Sequence, residues 1–306
     1  MHNKQSSSKI RVSKNMNHIN QLVKFSSSEL KGLHILDEET IKKIDEAEEY
    51  LYFFDRDFRL LQCVLDNHES FQLELKNQLM EGARDNGLGE SVDLSKYVRI
   101  IDKWLLNILS SFKALLDHLE TRITRSYGKD SKEYNQLKSA YSYEFDNVFS
   151  YAFSYKLRNY IQHCGMPKIT FNINTTIDHE ITNQIEFSLE LDLHRDDLLS
   201  NYDSWTKVKS RLAEQEDKIC LLNVLDELMQ SLIKIFSKIK DLISYKEATE
   251  AQTYILSIIN EDKTYQEQNY GICKEIEKSG EKLKIQNRIL KTKLFESLNS
   301  FNSLIN

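Results

Sequence analysis

The stretch from Tyr155 to Lys168 reads YKLRNYIQHCGMPK, and it closes the most clearly bounded helix in the chain. Gly165 can adopt the left-handed conformation that ends a helix, and Pro167 lacks the amide donor needed to continue one. Upstream, Tyr134, Leu137, Tyr141, Phe145, Val148, Ala152 and Tyr155 recur at spacings of three and four. That spacing predicts one helix from Ser131 to Cys164, with His163 in its last turn.

Working outward from this helix, the same period appears twice on the N-terminal side. Ile44, Ala47, Leu51, Phe54, Phe58, Leu61 and Leu65 predict a long amphipathic helix that starts near Ile41 and reaches Leu79. Tyr97, Ile101, Trp104, Ile108, Phe112, Leu115, Leu119 and Ile123 predict a second, ending near Tyr127-Gly128. Between them, the stretch from Gly82 to Gly89 with its Asn86-Gly87 pair supplies residues that tolerate positive φ, so the two helices are expected to form a hairpin.

On the C-terminal side the period changes. Ile169, Phe171 and Ile173 alternate with polar residues, as do Ile185, Phe187, Leu189, Leu191 and Leu193, which predicts a β-hairpin. Helical spacing then resumes through Trp205, Val208, Leu212, Ile219, Leu222, Leu232, Phe236, Ile239 and Ile243, and a further helix is expected over Thr249–Ile259. Ile272, Ile276, Leu283, Leu290, Leu294, Leu298 and Phe301 fit a last helix from Glu267 to Leu304, with one slip of phase.

These readings give a mainly α fold: an antiparallel helical bundle with a β-hairpin insert and additional long C-terminal helices. The expected organisation is a mobile tail over 1–28, rich in Ser, Asn and Lys; a helical body over 29–167; the hairpin over 168–195; and a helical region over 196–306. Eight Gly and one Pro in 306 residues agree with long helices.

Apolar runs stop well short of the ~20 residues needed to cross a bilayer. No secretory-type apolar block follows the early Lys and Arg residues, so a cytoplasmic protein is expected. Cys63, Cys164, Cys220 and Cys273 stand far apart without zinc-ligand spacing, which points to reduced structural thiols. A net charge of -6 argues against coating nucleic acid by bulk charge and leaves a local basic groove open.

The chemistry is concentrated in Arg158-Asn159-Tyr160-Ile161-Gln162-His163. An Arg followed by Asn and then, after three residues, by His at a helix end resembles the HEPN family of helical ribonucleases. The resemblance covers residues 95–167. It implies metal-independent cleavage of RNA, without a cofactor, to 2',3'-cyclic phosphate and 5'-hydroxyl ends. His163 would move protons at the 2'-hydroxyl or the leaving oxygen. Arg158 would hold the phosphate oxygens as charge accumulates, and Asn159 would orient the phosphate.

Five residues at ~100° each place Arg158 and His163 about 140° apart around one helix. Convergence therefore requires distortion near Gly165 or two protomers, and the family resemblance implies a homodimer with a composite cleft. It further implies a toxin or antiviral-defence role, with an antitoxin or other regulatory partner. The competing reading pairs Arg158 with a carboxylate such as Glu144 or Asp146 and lets His163 terminate the helix, making the protein a non-catalytic helical dimer or adaptor.

Other features read as structural. Lys282, Lys284, Arg288, Lys291 and Lys293 are expected on a solvated helix face. The acidic run from Asp37 to Glu49 lacks EF-hand spacing, and His118, His179 and His194 have no second ligand at useful spacing. A second Arg-to-His spacing, Arg11 to His18, has Val12 after the Arg and no helix end. Tyr141, Tyr143, Tyr151, Tyr155 and Tyr160 are expected mainly in core or interface, with one able to stack a base.

Overall fold

The computed structural model describes residues 11–12, 19–25, 29–85, 94–178, 184–259, 269–279 and 282–305. Strands β1 (Arg11–Val12), β2 (Gln21–Phe25) and β3 (Glu29–Ile35) precede the helices α1 (Glu38–Asp85), α2 (Leu94–Tyr127), α3 (Lys132–Asn147) and α4 (Phe149–Cys164). After β4 (Ile169–Asp178) and β5 (Gln184–His194) come α5 (Arg195–Asn201), α6 (Val208–Ala213), β6 (Lys218–Cys220), α7 (Leu221–Ile239) and α8 (Tyr245–Ile259). Strands β7 (Asn269–Ser279) and β8 (Lys282–Ile289) lead to α9 (Phe295–Ile305). The described chain is mainly helical with small, mostly antiparallel sheets, β1 alone among the described strands pairing parallel, with β3.

Two compact units divide the chain: Arg59–Ile239, and a second formed by Met1–Phe58 with Lys240–Asn306. In the first, polar contacts fix antiparallel helix directions. Asn67 donates to the Ser111 hydroxyl, Lys103 donates to Glu74, and the Tyr97 hydroxyl donates to the Gln78 carbonyl, so α2 runs back along α1. Glu120 accepts from Tyr134 at 2.9 Å and from Lys138 at 3.3 Å, so α3 runs back along α2. Ser150 on α4 donates to Glu227 on α7 at 2.7 Å. The apolar stripes fill the space between these helices with fully buried Phe71, Ile101, Phe112, Leu157 and Leu232.

In the same unit β4, β5 and β6 form a three-stranded antiparallel sheet in that order. The hairpin expected from the alternation is present, with its register running from Ile169 opposite Leu193 to Asp178 opposite Gln184. Its connection, with His179, lies outside the described residues, as does Asn86-Gly87; Gly82 lies within α1.

In the second unit a five-stranded sheet has the order β1-β3-β2-β7-β8. One face sets Leu22, Tyr270 and Ile272 against Ile41 and Ile44 of α1 and Ile259 of α8. On the other, Val23 and Cys273 are buried among Phe25, Leu30, Ile276 and Ile285. Phe54, Phe58, Tyr245 and Phe301 form a separate aromatic knot with centroids 5.4–6.1 Å apart. Asp37 caps α1, its carboxylate accepting the Thr40 amide at 2.7 Å.

Three expectations are corrected. The tail assigned to 1–28 contains β2, whose Leu22 and Val23 are fully buried through pairing with β3 and β7; residues 1–10, 13–18 and 26–28 lie outside the described part. The helical region assigned to 196–306 is interrupted by β6, β7 and β8, and the helix expected from Glu267 begins only at Phe295. The basic residues Lys282, Lys284 and Arg288 consequently lie on a strand, where Lys284 pairs with Glu277 and Arg288 with Asp45 and Glu48.

The third correction concerns the helix of the opening motif. It is two helices, α3 and α4, interrupted at Val148, which has φ -110° and ψ 114°. No Gly or Pro marks the break. Arg211 compensates it from outside by donating to the Phe145 carbonyl at 2.8 Å, the group that the Phe149 amide would otherwise satisfy in a continuous helix.

Candidate functional site

The first half of α4 is surrounded by protein: Ser150, Tyr151, Ala152, Phe153, Ser154 and Leu157 are all buried. Phe153 stacks on Trp205 at 5.6 Å and 10°, and Trp205 also stacks on Tyr160 at 5.9 Å. The Trp205 indole is fully buried and donates to the Leu198 carbonyl at 3.0 Å. These rings fix the rotation of α4 about its axis, and so fix which way the polar residues after Leu157 face.

From Arg158 onward the helix becomes polar. Arg158 and Asn159 are half-buried, and Gln162 and His163 are exposed. The terminus forms as the sequence dictates: Gly165 has φ 89°, and its amide donates to the Ile161 carbonyl at 3.2 Å. A side chain here would be strained by the backbone angle alone. Cys164 turns its thiol to the Asn201 carbonyl at 3.3 Å, tying the helix end to the last residue of α5.

Arg158 donates through Nη1 to the Gln162 side-chain oxygen, and its Nε is buried without a hydrogen-bond partner. No carboxylate pairs with it among the described residues. The carboxylates considered as its partners are otherwise disposed: Glu144 is buried and accepts from Lys238 at 3.3 Å, while Asp146 is exposed and forms no ion pair among the described residues. A permanently charged guanidinium is thus held by a neutral amide at the edge of a packed helix.

His163 lies parallel to the Tyr202 ring, with centroids 6.5 Å apart and planes 11° apart. Tyr202 in turn meets Tyr160 and Trp205 edge-on at 5.8 and 5.4 Å. Burial pushes the Tyr160 phenol up, with the neighbouring Cys164 adding to the effect and a hydrogen bond with Asn201 opposing it. Tyr160 is therefore a core residue with a neutral phenol, and its ring is already occupied by Trp205 and Tyr202.

Helix α4 is continuous from Arg158 to Cys164. The separation of about 140° expected for an ideal helix consequently persists within one chain. The fold brings Arg158 together with Gln162, and His163 together with Tyr202, but it does not bring Arg158 and His163 to one face. Distortion at Gly165 occurs after the motif and cannot reunite them.

Gln162 and Tyr202 were not singled out by sequence reasoning. Gln162 could have been found from its i+4 spacing to Arg158, which puts the two side chains one turn apart. Tyr202 is not recoverable in that way, because its approach to His163 is set by Trp205 and the turn between α5 and α6. Arg11 of the second Arg-to-His spacing lies in β1, and His18 is outside the described residues.

A scan against protein-family models finds no match to this chain, and searches of curated proteins and of solved structures find none either. Among the described residues, no helix is long and apolar enough to cross a membrane.

Proposed function

We propose that the protein is a metal-independent endoribonuclease of HEPN type that acts as a homodimer. The observation that carries this reading is the state of Arg158: a guanidinium at the polar end of α4 that no carboxylate among the described residues neutralises, in the same helix end as an exposed His163. An Arg serving only as a structural ion-pair partner would have its carboxylate.

Since one helix separates the two side chains, the reaction uses Arg158 of one protomer with the partner's His163. Arg158 presents two N–H donors to the non-bridging oxygens of the scissile phosphate, where negative charge grows in the transition state. His163 accepts the 2'-hydroxyl proton or donates one to the departing 5'-oxygen. Asn159, spaced i, i+4 to His163 and so on the His163 side of the helix, orients the phosphate. The products are a 2',3'-cyclic phosphate and a 5'-hydroxyl, and a regulatory or antitoxin partner would restrain the activity.

Incubation of the wild-type protein, Arg158→Ala and His163→Ala with tRNA and mRNA in EDTA tests the reading. Cleavage by the wild type, with either substitution lowering the rate by about 10²–10⁴-fold, is expected. Mixing the two inactive variants should restore part of the activity through hybrid dimers that hold one intact cleft. No cleavage by the wild type, or equal cleavage by the variants, rejects it in favour of a helical interaction protein.

A further inference from the structure

A cavity of about 310 Å³ opens within the Arg59–Ile239 unit, between α2, α3, α4 and the residue preceding α6. That volume falls at the lower end of the ~300–1,000 Å³ typical of small-molecule sites. Four rings, those of Tyr141, Phe145, Tyr151 and Tyr155, line it. Tyr141 and Tyr151 are buried, whereas Phe145 and Tyr155 are half-exposed and meet edge to face at 6.0 Å and 85°. Lys113 lies 5.6 Å above the Tyr155 ring.

Most of the charge around the cavity is internally paired. Lys113 binds Asp117, and Lys138 binds Glu120 at 3.3 Å. Besides the Tyr151 and Tyr155 hydroxyls, three lining polar groups have no hydrogen bond or ion pair among the described residues: the Lys207 ammonium, the Asp146 carboxylate and the Ser142 hydroxyl. All three are exposed. The cavity therefore offers an aromatic wall, one available cation and one available anion.

Its position along α4 connects it with the motif. Tyr155, Arg158 and Gln162 are spaced i, i+3 and i+7, which puts them on one face of the helix. The aromatic wall thus continues along α4 toward the Arg158–Gln162 pair.

We propose that this cavity binds a nucleotide through its base, with guanine preferred. The base lies against Tyr155 and Phe145. Asp146 accepts hydrogen bonds from the adjacent N1–H and N2–H of guanine, whereas adenine would turn its N1 lone pair toward the same carboxylate. Lys207 faces the phosphate. The inference rests on the ribonuclease reading only for the source of the nucleotide, since a free nucleotide and one within an RNA strand present the same base and phosphate.

The test is calorimetric titration of the full-length wild-type protein with GMP, AMP and inorganic phosphate, repeated with Asp146→Asn and Lys207→Gln. GMP is expected to bind about tenfold more tightly than AMP, the size of one good bidentate base contact, and Asp146→Asn to remove that ratio. Lys207→Gln should weaken both nucleotides alike, and phosphate alone should give no saturable heat. Both substituted residues are exposed, and unchanged circular dichroism and melting confirm that the variants fold. Equal binding of GMP and AMP, binding of neither, or an Asp146→Asn protein that keeps the preference overturns the proposal.

Binding of two hexanucleotides that differ by one G-to-A change, measured on His163→Ala, separates the sources. A preference for the G strand identifies RNA, and GMP binding without that preference identifies a free nucleotide. RNA cleavage is scored independently. Cleavage without nucleotide binding removes the cavity assignment and leaves the motif reading intact; guanine-selective binding without cleavage does the opposite.

Discussion

The unit from Arg59 to Ile239 and the unit built from both chain ends contain the same kinds of amphipathic segment, yet they are assembled over very different distances in sequence. In the first, successive helices meet, with Tyr134 reaching Glu120 across 14 positions and Lys103 reaching Glu74 across 29, and the longer link from Gln72 to Asp226 spans 154. In the second, Arg288 reaches Glu48 across 240 positions and Ser297 reaches Asp55 across 242. Local periodicity suffices where successive elements pack on one another. It is less informative at β2 and β7, which pair with each other from opposite ends of the chain.

The contrast is broken most forcefully at Trp205. This residue anchors Phe153, Tyr160 and Tyr202 around α4 and is fully buried. Trp205→Ala should cost about 3–5 kcal/mol of stability. Followed by urea denaturation and hydrogen exchange, the loss is expected as faster exchange over α4, α6 and α7, with β2 and β7 unaffected below the unfolding transition. Uniform acceleration along the whole chain would show that the two units do not respond separately.

A smaller effect is expected at Gly271 in the other unit. A Cβ at this position would come within 2.9 Å of the Arg288 carbonyl oxygen and 3.3 Å of Phe25 Cε1. The first of these is backbone of the paired strand and cannot swing aside, so Gly271→Ala should cost about 1–3 kcal/mol. The exchange pattern should be the reverse of the Trp205 case, with β2, β7 and β8 losing protection first. A variant as stable as the wild type would mean that β7 and β8 lie further apart.

How much was legible follows from the same physics. Helices α1 and α2 announced themselves because their stripes run for many turns, and the β4–β5 hairpin because Ile169–Ile173 and Ile185–Leu193 alternate without interruption. Gly165 and Pro167 marked the end of α4 by their backbone chemistry. Strands β7 and β8 were misread for an identifiable reason. Ile272 and Ile276 are four apart and so fit a helix, and the irregularity between Cys273 and Glu275 shifts the strand's parity where alternation would have shown. Leu283 and Ile285 do alternate, and in the sequence Gly280 just before them was an overlooked turn signal. Two features of the site had no local signal: the break at Val148, stabilised by Arg211, and the absence of a carboxylate at Arg158 among the described residues. Both are decided by residues brought together in three dimensions.

A finer probe of the Arg59–Ile239 unit requires no core substitution. The His68 side chain is 12% exposed, with Nε2 3.0 Å from Asp226 Oδ1. Burial lowers its pKa below the ordinary 6.5, and Asp226 opposes that shift without reversing it. In the window between the lowered folded value and 6.5, the unfolded chain holds more protons at this site than the folded one. The contribution to stability is therefore fully present above pH 6.5 and is lost as pH falls toward the folded pKa. Urea midpoints for wild type and His68→Gln on both sides of pH 6.5 should differ in slope, the wild type losing more stability on acidification. The opposite slope would mean that pairing with Asp226 outweighs burial. His68 would then strengthen the contact of α1 with α7 in its charged form.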